Sequence, residues 1–276
     1  MYLFNNNFLK KVINFGKNKL ENQKFILNKK NKIIFNNLKN NLKLIKGHKN
    51  NTAIVLFEKD NFFRKFSQKK TGINKIKSEI LAFKWYSKKI KKKIIKDYNI
   101  NKKFAYLDTY RIEGRKMKSW NSLTENSQHL KRAINHYRTI FKKKKYHKIH
   151  GDLTLDNIFF TKSKIVFFDW EFHGSRKQLW GYDLIYLVLS SICIPYQESK
   201  RFSKTDEFHF LKFWKNLQKM HINKKLIFEP FKYLEKILKS DKVFIDSIKI
   251  SKSKFFPLIT PFTFKKRITN LISKNL

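Results

Sequence analysis

The hydrophobic pattern of the N-terminal third predicts short strands. Apolar runs stand at 32–35, 42–45, 52–57 and 62–66, separated by polar turn residues. Short β-prone runs between turn signals are typical of hairpins rather than of helices. Two more apolar runs between residues 94 and 114 would complete a small antiparallel sheet.

From residue 74 onward the apolar residues recur mostly at helical spacing. Helices are predicted at 74–92, 121–145 and 180–193, and the remainder, 200–276, is helix-like. Ser122 and Glu125 form a capping box at the start of the second helix, because a serine followed three residues later by a glutamate satisfies two backbone donors. Pro195 is expected to end the third helix.

These elements predict an α+β fold with a small N-terminal antiparallel-sheet lobe and a larger, mostly helical C-terminal lobe. The chain divides into a basic leader at 1–32, an N-terminal lobe at 33–113 and a C-terminal lobe at 114–276. The absence of a low-complexity linker indicates that the lobes pack as one unit.

Composition limits the binding partners and the cellular compartment that are expected for this protein. Lys and Arg number 63 against 20 Asp and Glu, for a net charge of +43, and a field of this sign attracts anions and repels cations. Because Lys far outnumbers Arg, we favour compositional drift as the cause of the positive charge. The alternative is a dedicated polyanion-binding surface. The single Cys193 argues against disulfides and cysteine metal sites. No convincing secretory signal is present, and the longest apolar run is shorter than the ~20 residues of a membrane span. We therefore expect a cytoplasmic protein and leave peripheral contact with an anionic membrane open.

A cluster of polar residues around two short apolar runs carries the candidate chemistry. His150-Gly151-Asp152 is followed by Asn157, and the second run ends in Asp169-Trp170-Glu171. Phosphoryl transfer needs these groups: a carboxylate that orients a hydroxyl, and an amide plus a second carboxylate that hold Mg²⁺ on the phosphates.

The spacing His-Gly-Asp-x-x-x-x-Asn, together with Asp-Trp-Glu, resembles the aminoglycoside phosphotransferase and choline kinase superfamily, the small-molecule branch of the protein-kinase-like fold. The resemblance is tight over 150–183 and loose over 33–114. It implies a bilobal fold, with nucleotide bound by the N-terminal lobe and acceptor by the C-terminal lobe, and ATP and Mg²⁺ as cofactors.

The resemblance also implies a role for each motif residue. Asp152 would orient the acceptor hydroxyl as the catalytic aspartate, and His150 would hold the loop. Asn157 and Asp169 would bind Mg²⁺, and Glu171 would hold a metal-bound water or line the acceptor pocket.

Three residues of the N-terminal region are candidates for nucleotide binding. Lys65 on a predicted strand and Glu79 on the next helix would form the pair that kinases use to position phosphates. The adjacent Arg64 points to the opposite face of the strand, so the choice between Arg64 and Lys65 depends on register. Gly47 is the one glycine available for a phosphate-covering turn, which is a poor match to a glycine-rich loop.

Two further aspartates are expected to be structural. Asp156 is interpreted as a loop or cap residue. Asp183 is interpreted as the N-cap of the apolar helix, although related kinases use an aspartate here to hold the catalytic loop.

The sequence thus predicts an ATP- and Mg²⁺-dependent kinase that phosphorylates a hydroxyl of a small molecule. The positive field favours an envelope-glycan sugar, whereas Asp-Trp-Glu favours an amino alcohol of the choline or ethanolamine type, and both stay open. The alternative is a catalytically degenerate kinase-fold protein that binds nucleic acid or anionic membrane through its basic surface. No specific nucleic acid partner is expected, and the oligomeric state is left open.

Overall fold

The computed structural model describes residues 42–47, 53–57, 61–112, 114–116, 120–161, 164–173, 177–241, 244–245, 247–248 and 255–275. The predicted leader at 1–32, the strand at 32–35 and the turn after Gly47 lie outside these residues. The chain forms two compact units. The first contains the residues up to Ile73 and Ile95–Arg111, and the second contains Asn74–Ile94 and the residues from Ile112 onward. Residues 74–94, which the sequence assigned to the N-terminal lobe, therefore group with the second unit.

The first unit is a five-stranded antiparallel sheet with the strand order β1-β2-β3-β5-β4. Its strands are β1 (Leu42–Gly47), β2 (Ala53–Phe57), β3 (Phe62–Ser67), β4 (Ile95–Ile100) and β5 (Ala105–Tyr110). The strands predicted at 42–45, 52–57 and 62–66 are confirmed. Ala105 and Leu107 are buried on one face of this sheet, and Phe66 is buried on the other.

The second unit is mostly helical. Its helices are α1 (Lys70–Ile90, which begins in the first unit), α2 (Leu123–Ile140), α3 (Tyr182–Ser199), α4 (Lys204–Lys219), α5 (Lys224–Phe228), α6 (Pro230–Ser240), α7 (Phe256–Ile259) and α8 (Phe262–Asn275). Its strands are β6 (Arg115–Lys116), β7 (Tyr146–Lys148), β8 (Ile158–Phe160), β9 (Ile165–Phe167) and β10 (Lys177–Leu179). The predicted α+β class, with a small antiparallel sheet and a larger helical part, is confirmed.

Helix α2 begins as predicted and ends earlier. Ser122 Oγ accepts from Glu125 N at 3.3 Å, and the Glu125 carboxylate accepts from Ser122 N at 3.2 Å, which confirms the capping box. The prediction that this helix continues to residue 145 is wrong, because Phe141 is extended. The Phe141 ring packs on Trp85 with the ring centroids 5.1 Å apart, and the chain then enters β7, which pairs with β10 and requires an extended backbone.

Helix α3 passes through Pro195 and ends at Ser199, so the prediction that this proline ends the helix is wrong. Proline removes one backbone donor from the helix. Packing beyond it compensates, because Tyr196 stacks on Phe264 with the ring centroids 3.7 Å apart and Gln197 donates to Thr260 Oγ1 at 2.9 Å. No helix in the described part of the chain is both long and apolar enough to cross a membrane.

An aromatic core around Trp170 backs the predicted catalytic loop. Trp170 is fully buried, and its ring lies 4.5 Å from His150 and 5.1 Å from Tyr86 between centroids. Its indole N–H donates to Phe167 O at 2.9 Å, and Phe167 N donates to the Tyr86 hydroxyl at 2.9 Å. These contacts fix the end of β9 against α1.

Candidate active site

The β8–β9 hairpin brings two of the predicted site residues to the same end. Ile158 pairs with Phe167 in an antiparallel register, so Asn157, which precedes β8, stands opposite Phe168, which follows β9. Phe168 N donates to Asn157 O at 3.1 Å. Asp169 is the next residue, and it therefore follows β9 at the end of the hairpin where Asn157 precedes β8.

Asn157 also joins this hairpin end to Asp152. Its side-chain amide nitrogen donates to the backbone oxygen of Asp152 at 2.8 Å. The amide oxygen of Asn157 therefore points away from that carbonyl. Asp169 has a φ of 62°, in the left-handed region that aspartate tolerates better than most residues. Asp152, Asn157 and Asp169, which the sequence placed in one site, are thus brought together.

His150 is fully buried and ties the loop to the strand that leads to Asp169. Burial lowers the pKa of His150 to about 4, so its imidazole is neutral at pH 7. Nε2 lies 2.9 Å from Phe168 O, and Nδ1 lies 3.4 Å from Asp152 N. A carbonyl can only accept, so we assign the proton to Nε2, which leaves Nδ1 as an acceptor for the Asp152 amide.

Asp183 holds the loop backbone and does not cap its own helix, so the predicted N-cap role is wrong. The N-cap of α3 is Gly181, whose φ of 97° suits a residue without a side chain. The Asp183 carboxylate accepts from His150 N at 2.9 Å and from Gly151 N at 3.0 Å. Burial raises the pKa of Asp183 to about 6, while these bonds act to lower it. A buried loop leaves amide donors that need an acceptor, and a nearby carboxylate meets that need.

Gly151 permits the close approach of this loop to the turn after Asp169. Its φ is 91°, and a Cβ added there would lie 2.6 Å from the Cβ of Phe172. The glycine of the His-Gly-Asp motif is therefore required by backbone geometry and by contact.

Tyr186 contacts the predicted catalytic carboxylate, and the sequence analysis missed it. The Tyr186 hydroxyl donates to Asp152 Oδ1 at 3.0 Å, and both residues are buried. Burial raises the pKa of Tyr186 well above its usual value, and the charge of Asp152 adds to this, so the hydroxyl keeps its proton and remains a donor. The available signal was the spacing of Asp183 and Tyr186, which places them on one helix face.

Glu171 is within ion-pair distance of a lysine that the sequence analysis also missed. Its Oε1 lies 3.4 Å from Lys75 Nζ, and the side chains are 6% and 13% exposed. Lys75 Nζ also lies 5.1 Å from the centroid of the Phe172 ring. Glu79, one turn further along α1, is buried.

In the first unit, the pairing of β3 with β5 places Arg64 and Lys65 on opposite faces of the sheet. Arg64 stands opposite Asp108, and its guanidinium donates two hydrogen bonds of 2.7 Å to the Asp108 carboxylate. Lys65 points to the other face of β3, where it pairs with Leu107. Gly47 is the last residue of β1 and pairs with Ala53. The bidentate ion pair gives Arg64 a structural role, which leaves Lys65 as the candidate for phosphate contact.

The donor set at the hairpin end fits a magnesium ion in part. Among the described residues, no three His, Cys, Asp or Glu side chains come together as a metal cage. Mg²⁺ in nucleotide enzymes keeps several waters and takes only one or two protein carboxylates, with phosphates completing its shell. One amide oxygen from Asn157 and one carboxylate from Asp169 suit that arrangement.

No protein-family model matches the chain, and no curated protein matches it. Among solved structures, the chain is similar to an aminoglycoside phosphotransferase of Streptomyces rimosus, with 13% sequence identity, 66% of this chain and 89% of that chain covered, and a TM-score of 0.43. It is similar to an ethanolamine kinase of Plasmodium vivax, with 12% identity, 97% and 91% covered, and a TM-score of 0.41. It is also similar to an amicoumacin kinase in complex with AMP-PNP and Ca²⁺, with 10% identity, 85% and 87% covered, and a TM-score of 0.42.

These names agree with the superfamily that the His150–Glu171 motif resembles. At TM-scores below 0.5 the likenesses carry no weight in assigning a function, which rests on the residues of this chain.

Proposed function

We propose that this protein is an ATP- and Mg²⁺-dependent phosphotransferase acting on a hydroxyl of a small molecule. The observation that carries the proposal is the hydrogen bond between the Asn157 amide and Asp152 O, at the hairpin end where Asp169 follows. One carboxylate beside an amide and a second carboxylate is the set of groups that phosphoryl transfer requires.

Asp152 is the proposed catalytic residue. Its Oδ1 accepts from Tyr186, which holds in place the carboxylate that would accept a hydrogen bond from the acceptor hydroxyl and orient it. His150 and Asp183 act through the loop backbone, because their hydrogen bonds fix the main chain on both sides of Gly151. Positioning of this kind supplies much of the rate enhancement in phosphoryl transfer.

Asn157 Oδ1 and the Asp169 carboxylate are the proposed metal ligands. Bound Mg²⁺ would supply charge neutralisation on the phosphates. Glu171 stays a proposed contributor, which would share its carboxylate between the metal shell and Lys75. For the nucleotide, we propose Lys65 and Gly47 as contacts from the first unit and Glu79 as a contact from the second.

Between the two acceptor classes, the surroundings of Asp152 favour an amino alcohol of the choline or ethanolamine type. Burial is the main cause that raises the pKa of Tyr182, and the charge of Asp183 adds to it, followed by those of Asp152 and Asp241. Carboxylates and tyrosine rings near the reacting position suit a cationic acceptor. An envelope-glycan sugar, which the overall positive field favours, is the second candidate. ATP supply makes the cytoplasm the expected compartment.

An ATP-consumption screen over choline, ethanolamine, aminoglycosides, hexoses and heptoses tests the proposal. Asp152→Ala should abolish turnover of the responding acceptor, while Asp156→Ala, a matched loss of a carboxylate from the same loop, should retain most of it. Both variants are checked for folding by circular dichroism and thermal denaturation.

Unchanged phosphorylation by Asp152→Ala would refute the mechanism. The alternative of a degenerate fold is tested by thermal shift with ATP and Mg²⁺ and by oligonucleotide titration over salt. Steep salt dependence without stabilisation by nucleotide would favour that alternative.

A further inference from the structure

Three stretches of the second unit contain no acidic residue. Residues 80–94, 126–151 and 172–182 hold many lysines and not one Asp or Glu. The stretch 208–228 also lacks acidic residues, whereas Lys232 and Lys239 form ion pairs with Glu229 and Glu235.

The fold brings these three stretches together. Trp85, near the end of α1, packs on Phe141, which follows α2, with the ring centroids 5.1 Å apart. Trp85 also stacks on His173, with the ring centroids 5.7 Å apart. Trp180 N donates to Lys145 O at 3.3 Å. Stretches that are distant in sequence therefore meet at the half-buried Trp85 and at the Trp180–Lys145 hydrogen bond.

We define these lysines as the lysine surface. Its members are exposed, and none forms an ion pair with any residue that the structure describes: Lys88, Lys89, Lys91, Lys142, Lys143, Lys144, Lys145, Lys148 and Lys177. Lys148 and Lys177 stand directly opposite each other in the β7–β10 pair. Like charges opposite each other in a sheet are destabilising, so nothing in local strand pairing accounts for them.

Interaction with a helix dipole compensates the mutual repulsion of only some lysines of the lysine surface. Lys88 and Lys89 lie in the last turn of α1, where cations interact favourably with the helix dipole. The run 142–145 lies beyond the end of α2, and Lys148 and Lys177 lie on strands. The dipole effect falls off within one turn, so these six lysines repel one another without such compensation.

We propose that the lysine surface docks on the anionic headgroups of a lipid bilayer. Clustered lysines bind a fluid anionic surface as point charges and require no fixed geometry from their partner. Tyr146 lies inside the cluster and is 51% exposed, with Lys145 Nζ 5.7 Å from the centroid of its ring. A phenol among cations suits the level of the headgroups, where its ring is partly apolar and its hydroxyl is wet.

Nucleic acid fits this surface less well. Readers of base edges use the guanidinium fork of arginine, and the three stretches hold 13 lysines against three arginines. Binding of single strands uses successive aromatic side chains on which bases stack. Tyr146 is the one exposed large aromatic on this surface among the described residues.

The test compares two variants that lose equal charge. In the first, Lys142, Lys143, Lys144 and Lys145 are each changed to Gln. In the second, the exposed lysines of α4, Lys204, Lys212, Lys215 and Lys219, are each changed to Gln. Co-sedimentation is measured with vesicles of phosphatidylcholine alone and of phosphatidylcholine mixed with phosphatidylglycerol. Circular dichroism verifies that both variants fold.

The wild type should bind the mixed vesicles, and binding should weaken with salt. The 142–145 variant should bind them roughly 600-fold more weakly, since each of the four lysines near an anionic leaflet contributes about fivefold, whereas the α4 variant should stay within about fivefold of the wild type. Equal losses in the two variants would assign binding to net charge and overturn the proposal, as would failure of the wild type to bind mixed vesicles. Tighter binding to a single-stranded oligonucleotide, lost in the same variant, would overturn it in favour of nucleic acid.

Discussion

The hydroxyl of Tyr186 donates a hydrogen bond to Oδ1 of Asp152, 3.0 Å away, from the helix face that also carries Asp183. One turn of α3 thus holds both the backbone of the loop and the carboxylate that the loop presents. The bond holds the Asp152 carboxylate in one orientation, which the proposed role of this residue requires. Hydrogen bonds to charged groups contribute about 1.5–3 kcal/mol, so loss of this one is measurable.

Tyr186→Phe should lower kcat by about 10- to 100-fold and leave KM for ATP within about twofold. The ring stays and only the donor is lost, so the variant should fold. Tyr182→Phe is the matched control, because its buried hydroxyl bonds no partner among the described residues. The control should retain kcat within about threefold. Equal kcat in Tyr186→Phe and wild type would contradict the positioning role.

Substitution of Arg64 and Lys65 should separate stability from nucleotide binding. Arg64→Ala removes the bidentate partner of Asp108, whose side chain is 3% exposed, and should lower the free energy of unfolding by about 3 kcal/mol. Burial already raises the pKa of Asp108, and loss of Arg64 would raise it further. Lys65→Ala should raise KM for ATP more than Arg64→Ala does. The reverse pattern would assign the phosphate contact to Arg64.

Gly151→Ala should destabilise the protein by about 2–4 kcal/mol in urea denaturation, because strain at positive φ adds to a clash in a packed site. The added Cβ would lie 2.6 Å from Phe172 Cβ. Gly114→Ala is the control, since this glycine is outside the left-handed region and its nearest contact would be 3.1 Å, to Phe160 O. Similar losses in both variants would show that the close approach at Gly151 is not the cause.

Acidification below pH 6.5 should destabilise the fold. Burial lowers the pKa of His136, His147, His150 and His173 from 6.5 to about 4, so the unfolded chain binds protons that the folded chain does not. Stability is therefore lost as pH falls from 6.5 through 4. Asp183 acts in the opposite sense, because its folded pKa of about 6 exceeds the usual 3.8 and favours the folded state at lower pH.

Near pH 5 the four histidines take up about four protons on unfolding and Asp183 releases about one. A net uptake of about three protons on unfolding means that the free energy of unfolding falls by about 4 kcal/mol for each pH unit of acidification. Urea denaturation at pH 6 and pH 5 measures this slope, and a flat profile would show that these histidines are protonated in the folded protein.

The sequence predicted those parts of the fold that local signals determine. The strands of the first unit, the capping box of Ser122 and Glu125, and the grouping of Asp152 with Asn157 all follow from spacing along the chain. Phosphoryl-transfer roles for these residues stay predictions.

Long-range packing explains what the sequence could not give. Pro195 continues a helix because Phe264, far along the chain, stacks on the next residue. Spacing places Tyr186 on the helix face of Asp183, but no local signal identifies the partner of Tyr186 or of Lys75, since each gains its partner only when distant segments meet. The choice between Arg64 and Lys65 needed the position of Asp108 on a strand that the pattern could not align in register.

Helix α3 contains no lysine or arginine from Tyr182 to Ser199, in a chain with 63 of them. Its residues are nearly all buried, so a charged side chain there would lose its hydration. Lysine is therefore common on the exterior of this protein and excluded from the helix behind Asp152. Relatives with very different surface composition should be recognisable by this helix and its loop before any other segment.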